Sequence, residues 1–270
     1  MVIGVILGTL VVVSRVSWPF AWLGLELNLM CFVPLAIGDE TLKKRSMFYF
    51  VRQRIGSLAI LARGILSDYI VTLSVLLIFS IVLKMGAIPF HFWVPNVVPM
   101  LNKPMFYVIQ TWQKVAPISL IAFILLAKDI LRVLNVWVAS ATMLSLSRPI
   151  FVVIFSGIVQ IGWIFRLSGY YLLVWFVLMY FLILTPVIKY MQVNSREFLM
   201  SLINAGGLPP FTGFIMKLKA LKILATKIAV ALLAGRGVAL SSYTRMLLNS
   251  TFRKTALTGL LSFALLVGAV

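Results

Sequence analysis

Apolar residues run along this chain in blocks of about twenty, with short polar stretches between them. A block of that length, wound as a helix, matches the hydrocarbon thickness of a bilayer. The pattern predicts membrane helices near 2–17, 19–38, 44–64, 69–95, 104–126, 130–146, 150–166, 169–190, 196–215, 220–244 and 254–270. Barrel strands would alternate apolar and polar residues, and these blocks do not. The expected fold class is therefore an all-α polytopic membrane protein of about 11 transmembrane helices. The opening "MVIGVILGTLVVV" has no basic stretch and no small-residue cleavage site, so it reads as a first span rather than a signal peptide.

Two of the predicted segments are interrupted in the same way. The fourth contains "GAIPFHFWVP", with Pro89 at its centre, and the ninth contains "AGGLPPFTGF", with Gly206, Gly207, Pro209 and Pro210. Lys84 precedes the first break and Lys217 follows the second. A single Gly/Pro break can be a plain kink, which membrane helices tolerate. Breaks in corresponding positions of two halves are the sequence pointer to an inverted-repeat transporter. That pattern predicts a first five-helix repeat over 1–126, with its broken helix near 84–95. A second repeat follows over 127–252, broken near 205–214, and a C-terminal helix over 253–270.

Composition agrees: 62% of the 270 residues are hydrophobic and 11% charged, against about 25% charged in a soluble domain. The net charge of +18 is scattered along apolar blocks, which argues against nucleic acid as a partner. Short loops, with no GxGxxG loop or P-loop, leave no nucleotide domain. The single cysteine, Cys31, excludes an internal disulfide and a cysteine metal cluster, and one histidine cannot build a metal site. Lysines and arginines are denser in the loops after the even-numbered segments, which places the N-terminus on the inner side.

An ionisable side chain inside a membrane helix costs at least about 2.5–3.5 kcal/mol on insertion scales, so each one is a functional candidate. Glu26, Lys84, Lys114 and Lys217 stand out. Glu26 is the one carboxylate of six flanked on both sides by long apolar runs. Burial disfavours the charged form of either group and pairing favours it, so a lysine that gains and loses a carboxylate partner can hold and release a proton. A static ion pair that fixes helix register is the simpler reading, and for Lys217 so is snorkelling to the interface. His91 has two roles open to it, a buried hydrogen bond or a relay position.

At these residues the chain resembles subunit 2 of mitochondrial NADH:ubiquinone oxidoreductase, the respiratory complex I, in its short animal form. The motifs that carry the resemblance are "WLGLELN" with "FVPL", "KMGAIPFHFWVP", "TWQKVAPISL", "SGIVQIGW", "GGLPPFTGF" with Lys217, and "SYTRMLLNST". They occur in the family's order and cover nearly the whole chain. The resemblance implies an antiporter-like proton-translocating subunit of the inner mitochondrial membrane, with the N-terminus on the matrix side. It implies a glutamate–lysine pair at Glu26 and Lys84, a bridging lysine at Lys114 and a broken-helix lysine at Lys217. It also implies no cofactor in this chain, since NADH, FMN, iron–sulfur clusters and ubiquinone are bound by other subunits. The implied partners are those membrane-arm subunits and phospholipid, cardiolipin included. A stand-alone cation/proton antiporter and a structural scaffold use the same buried charges and remain as alternatives. The chain departs from the family pattern at Gln160, where a histidine is common, and at Met216, where proline is usual.

Arginine is the larger departure. Arg15, Arg52, Arg54, Arg63 and Arg166 fall within or at the edge of predicted helices, where the resemblance implies serine or threonine at several positions. Many invertebrate mitochondria read AGA and AGG as serine, so a translation with the standard code would put arginine there. True arginines would instead face a wet axis, lipid headgroups or a neighbouring subunit. Peptide mass spectrometry across residues 44–64 is expected to return serine masses at some of the arginine positions there, and intact arginines throughout overturn the reading.

Overall fold

The computed structural model describes residues 1–14, 17–36, 40–65, 70–121, 128–167, 171–191, 196–208, 211–222 and 229–246. Every regular element among them is helical. In chain order these are α1 (Val2–Ser14), α2 (Trp18–Ala36), α3 (Glu40–Ile65), α4 (Ile70–Met85), α5 (Trp93–Val97), α6 (Lys103–Gln110) and α7 (Trp112–Ile121). They are followed by α8 (Lys128–Ser145), α9 (Pro149–Leu167), α10 (Leu172–Tyr190), α11 (Arg196–Gly206), α12 (Thr212–Leu221) and α13 over 229–246. Helices thus occupy each of the first ten predicted segments. The eleventh segment, Arg15, Pro209 and Pro210 lie outside the described residues, and at Arg63 and Arg166 only the backbone is described. Taken singly, α2 and α10 are long and apolar enough to cross a membrane. Several of the other helices are shorter because the chain breaks inside the predicted segments.

The distribution of side chains is the reverse of a water-soluble protein. Ile3, Leu7, Leu10, Leu178 and Leu182 are exposed, while Glu26, Asn28, Gln53, Lys84, Gln110 and Lys114 are buried. Small residues let helices approach, as membrane packing requires. A Cβ on Gly8 of α1 would lie 2.7 Å from the Gly24 carbonyl of α2, and one on Gly24 would lie 2.7 Å from the Gly8 carbonyl. Helices α1 to α4 pack in sequence with α7 against α1 and α4, and α8 to α12 pack around α9 and α10. Nearly every described side chain of α9 from Val152 to Leu167 is buried, which suits a helix that is apolar all round.

The two expected breaks end in the same hydrogen-bonded stop. At the end of α4, Gly86 N–H donates to Leu83 C=O (3.2 Å) and Ala87 N–H to Val82 C=O (2.9 Å), with Gly86 at φ +65°. At the end of α11, Gly207 N–H donates to Asn204 C=O (3.0 Å) and Leu208 N–H to Ile203 C=O (3.5 Å), with Gly207 at φ +81°. Both are helix stops made by a left-handed glycine that turns the chain and occupies carbonyls the helix leaves open. The sequence pointed to Pro89 for the first break. The helix ends earlier, at Met85, because the glycine and not the proline supplies the reversing conformation. Pro89 sits in the following turn, after a cis Ile88–Pro89 bond.

A third break was not expected. Thr111, at φ −119° and ψ −81°, divides the fifth predicted segment into α6 and α7 and puts Lys114 in the first turn of α7. Two arginines point outward from α3: Arg52 lies 4.5 Å from the Phe48 ring centre and exposed Arg54 5.5 Å from that of Phe50. The inward face of the same helix carries Tyr49, Gln53, Ser57 and Ile60. Arg245 has a structural task, donating to Leu144 C=O and, at 2.5 Å, to Leu146 C=O past the end of α8.

Gly86→Ala would force a side chain into the left-handed region and drive its Cβ into Val94 Cγ2. The backbone penalty alone is about 1–3 kcal/mol. Gly237 has no atom within 4 Å of its Cβ position and serves as the control. Gly86→Ala is expected to lower the thermal unfolding midpoint in detergent, while Gly237→Ala leaves it unchanged or raises it slightly.

Candidate functional site: buried lysines at the helix breaks

Lys84 lies in the last turn of α4, 6% exposed. Its ammonium donates to Gln53 C=O on α3 (3.0 Å), and the Gln53 amide donates back to Lys84 C=O (3.2 Å). Glu26 on α2 is also buried, and its carboxylate accepts from the Ser57 hydroxyl. The expected Glu26–Lys84 contact is therefore not made: among the described residues the two form no ion pair within 4.0 Å. They are attached instead to Ser57 and Gln53, one turn apart on α3, with the Glu26 charge still within electrostatic range of Lys84. Gly56 makes the room, since a Cβ there would lie 2.9 Å from Lys84 Cγ and 3.4 Å from Cε.

Lys114 donates to Gln110 Oε1 (2.8 Å) across the Thr111 break and lies 5.9 Å from the Tyr180 ring centre. A glycine makes room here as well: a Cβ on Gly157 of α9 would lie 2.8 Å from Gln110 Oε1 and 3.3 Å from Lys114 Nζ. Lys84 and Lys114 line one cavity with Gln53, Gln110 and Gln113, and it measures ≈ 10 Å³ for the centre of a water-sized sphere. That is about the least that holds one water, and the lysine and glutamine tips in its otherwise largely apolar lining are the partners a water needs. Gln113 is fixed from α2 by a 2.9 Å bond from its Nε2 to Asn28 Oδ1.

Lys217 sits apart from that cavity, on α12 at the second break, 4% exposed. Its ammonium donates to Ala205 C=O (2.9 Å) and Gly206 C=O (2.8 Å), the last carbonyls of α11. A cation at a helix C-terminus also meets the negative end of the helix dipole. Arg236 of α13 donates to Gly207 C=O, and Asn204 Oδ1 accepts from Gly213 N–H (2.9 Å) at the start of α12. The break is thus held from both sides. Snorkelling does not describe Lys217, since its head points into the fold.

His91 stands aside from this axis. Its ring lies 4.4 Å from that of Phe92 and 5.9 Å from that of Phe155, and among the described residues its Nδ1 has no hydrogen-bond partner. Among the described residues no group of three His, Cys, Asp or Glu could hold a metal. Sequence reading missed Gln53, Ser57, Gln110 and the glycines 56 and 157. Their signal was faint: a polar or small residue at helical spacing in an apolar block reads as packing until a lysine is known to face it.

Buried lysines on interrupted helices, in a fold that exposes apolar side chains, mark a membrane-embedded helical protein. The fold matches a chain of respiratory complex I from Thermus thermophilus with a TM-score of 0.76, at 18% identity, covering 89% of this chain and 67% of that one. NADH-ubiquinone oxidoreductase chain 2 of Lampetra fluviatilis is 31% identical over 89% of this chain and 81% of its own length. The protein of the same name from Anopheles gambiae is 31% identical over 78% and 72%. No family model matches. The chain belongs to the NADH-ubiquinone oxidoreductase chain 2 family.

Gly56→Ala is expected to push Lys84 Nζ out of reach of Gln53 C=O in a cryo-EM map of the assembled complex. An unmoved Lys84 would show that the glycine is not what makes room for it.

Proposed function

We propose that this chain is an antiporter-like membrane-arm subunit of complex I in the inner mitochondrial membrane. In this reading it moves protons across that membrane as NADH is oxidised and ubiquinone reduced elsewhere in the complex. It crosses the membrane about 11 times with its N-terminus on the matrix side, and 1–126 and 127–252 form an inverted repeat. The matched glycine stops at Gly86 and Gly207 support the repeat. Its partners are the other membrane-arm subunits and phospholipid, cardiolipin among them.

One observation carries the reading. Lys84, Lys114 and Lys217 are buried, and each hydrogen bonds only to neutral oxygens, with no carboxylate within 4.0 Å among the described residues. Burying an ion without a counter-charge costs several kcal/mol. Charging all three at once is therefore unfavourable, and the charge on one depends on its neighbours.

The proposed cycle follows from that dependence. In the present arrangement Glu26 is held by Ser57, away from Lys84. Charge movement driven by quinone chemistry brings Glu26 and Lys84 together and apart. When Glu26 withdraws, Lys84 gives its proton through the shared cavity to Lys114. Lys217 passes protons on at the second break, and His91 takes no step in this cycle.

Lys84→Met in the assembled complex is expected to reduce proton translocation per NADH several-fold while assembly is retained. Full pumping coupled to quinone reduction in that variant would leave the buried lysine a structural role and sink the relay. Ion exchange by the isolated chain would favour the stand-alone antiporter instead.

A further inference from the structure

The proton-transfer reading leaves a gap between Lys114 and Lys217, and the family's histidine position is filled by Gln160. An amide neither accepts nor releases a proton at ordinary pH, so Gln160 cannot carry one. The notch at Gly157 offers another group. A Cβ at that position would lie 2.8 Å from Gln110 Oε1, 3.2 Å from the Tyr180 hydroxyl and 3.3 Å from Lys114 Nζ. Three polar tips from α6, α7 and α10 thus converge on one point against α9. Tyr180 is 4% exposed, and its hydroxyl has no hydrogen-bond partner among the described residues. A buried hydroxyl left unpaired is destabilising, so its retention beside a lysine calls for a reason.

The far side of Tyr180 leads toward the second break. Its hydroxyl is within electrostatic range of those of Tyr243 and Tyr107. Tyr107 is engaged, donating to Phe181 C=O at 3.4 Å. The Tyr243 hydroxyl is within electrostatic range of Ser156, the residue before the notch, whose own hydroxyl donates to Val153 C=O at 2.7 Å. The Tyr243 ring packs on Gly206, 3.0 Å from the Cβ position there, and Gly206 C=O is one of the two oxygens that hold Lys217.

We infer that the Tyr180 hydroxyl carries protons out of the Lys114 site, toward Tyr243 and the Lys217 break, a role that rests on the proton-transfer reading above. In the transfer an N–H bond of the Lys114 ammonium breaks and its proton binds the Tyr180 oxygen. The original Tyr180 O–H bond breaks as its proton moves toward Tyr243, and the transfer ends with a new N–H bond on a neutral Lys217 amine. Lys114 is left neutral, and the tyrosine is restored when its hydroxyl turns back. One proton moves and no net charge stays on the ring. Gly157 is the positioning residue, since any side chain there would separate the three tips.

The test is made on the assembled complex in sealed vesicles, with proton uptake per NADH and uncoupled NADH:quinone turnover measured together. Tyr180→Phe removes one oxygen and keeps the ring. It is expected to cut protons per NADH several-fold, leave the thermal midpoint unchanged and abolish any solvent deuterium effect on pumping. Gly157→Ala attacks the same point from the opposite wall and should lower coupling likewise if Tyr180→Phe fails to assemble. Gln160→Leu should leave coupling intact. Full coupling in Tyr180→Phe, with loss in Lys114→Met, overturns the tyrosine route while the lysine relay stands. Full coupling in Lys114→Met overturns both.

Discussion

An ammonium group buried in an apolar interior has to be held by oxygens, and here they come from a helix end, a helix interior and an amide side chain. The rest of this structure follows from that constraint. Lys217 takes the two last carbonyls of α11, Lys84 takes Gln53 C=O, and Lys114 reaches Gln110 across the break at Thr111. An unbroken membrane helix pairs nearly all of its carbonyls internally and has few to offer. The interruption between α11 and α12 is thus the means by which the fold brings freed backbone to Lys217, while the break at Thr111 lets the Gln110 side chain face Lys114 and Lys84 draws on a carbonyl of the unbroken α3.

The same constraint explains the glycines. A lysine crossing between packed helices needs a wall without a side chain, and Gly56 and Gly157 provide it for Lys84 and Lys114. Gly86 and Gly207 do something different, turning the chain through a conformation that other residues adopt only at a cost. Glycine is therefore used in two distinct ways within one axis, as space and as a turn.

The polar axis is also kept separate from the apolar exterior by helix faces rather than by layers. On α3 the inward face holds Gln53 and Ser57, while Arg52 and Arg54 are carried on the outward side over Phe48 and Phe50. Arg245 is held at the end of α8 by carbonyls. Among the described residues, Lys84, Lys114 and Lys217 are thus buried with oxygens around them, while positions 52 and 54 lie on the outward side.

Much of this was legible in the chain alone. Apolar block length decides where helices lie, because the bilayer thickness sets it, and a charge inside such a block marks itself by its cost. Glu26, Lys84, Lys114, Lys217 and both breaks could be named on those grounds. What those residues touch could not. The Glu26–Lys84 contact expected from sequence is replaced by Ser57 and Gln53, because α3 passes between the helices that carry them. The stop at Gly86 rather than Pro89, the break at Thr111, and the meeting of Tyr180 with Lys114 at Gly157 depend on which helix faces which. Periodicity along one chain gives the face of a helix but not its neighbour, and only the packed fold decides the neighbour.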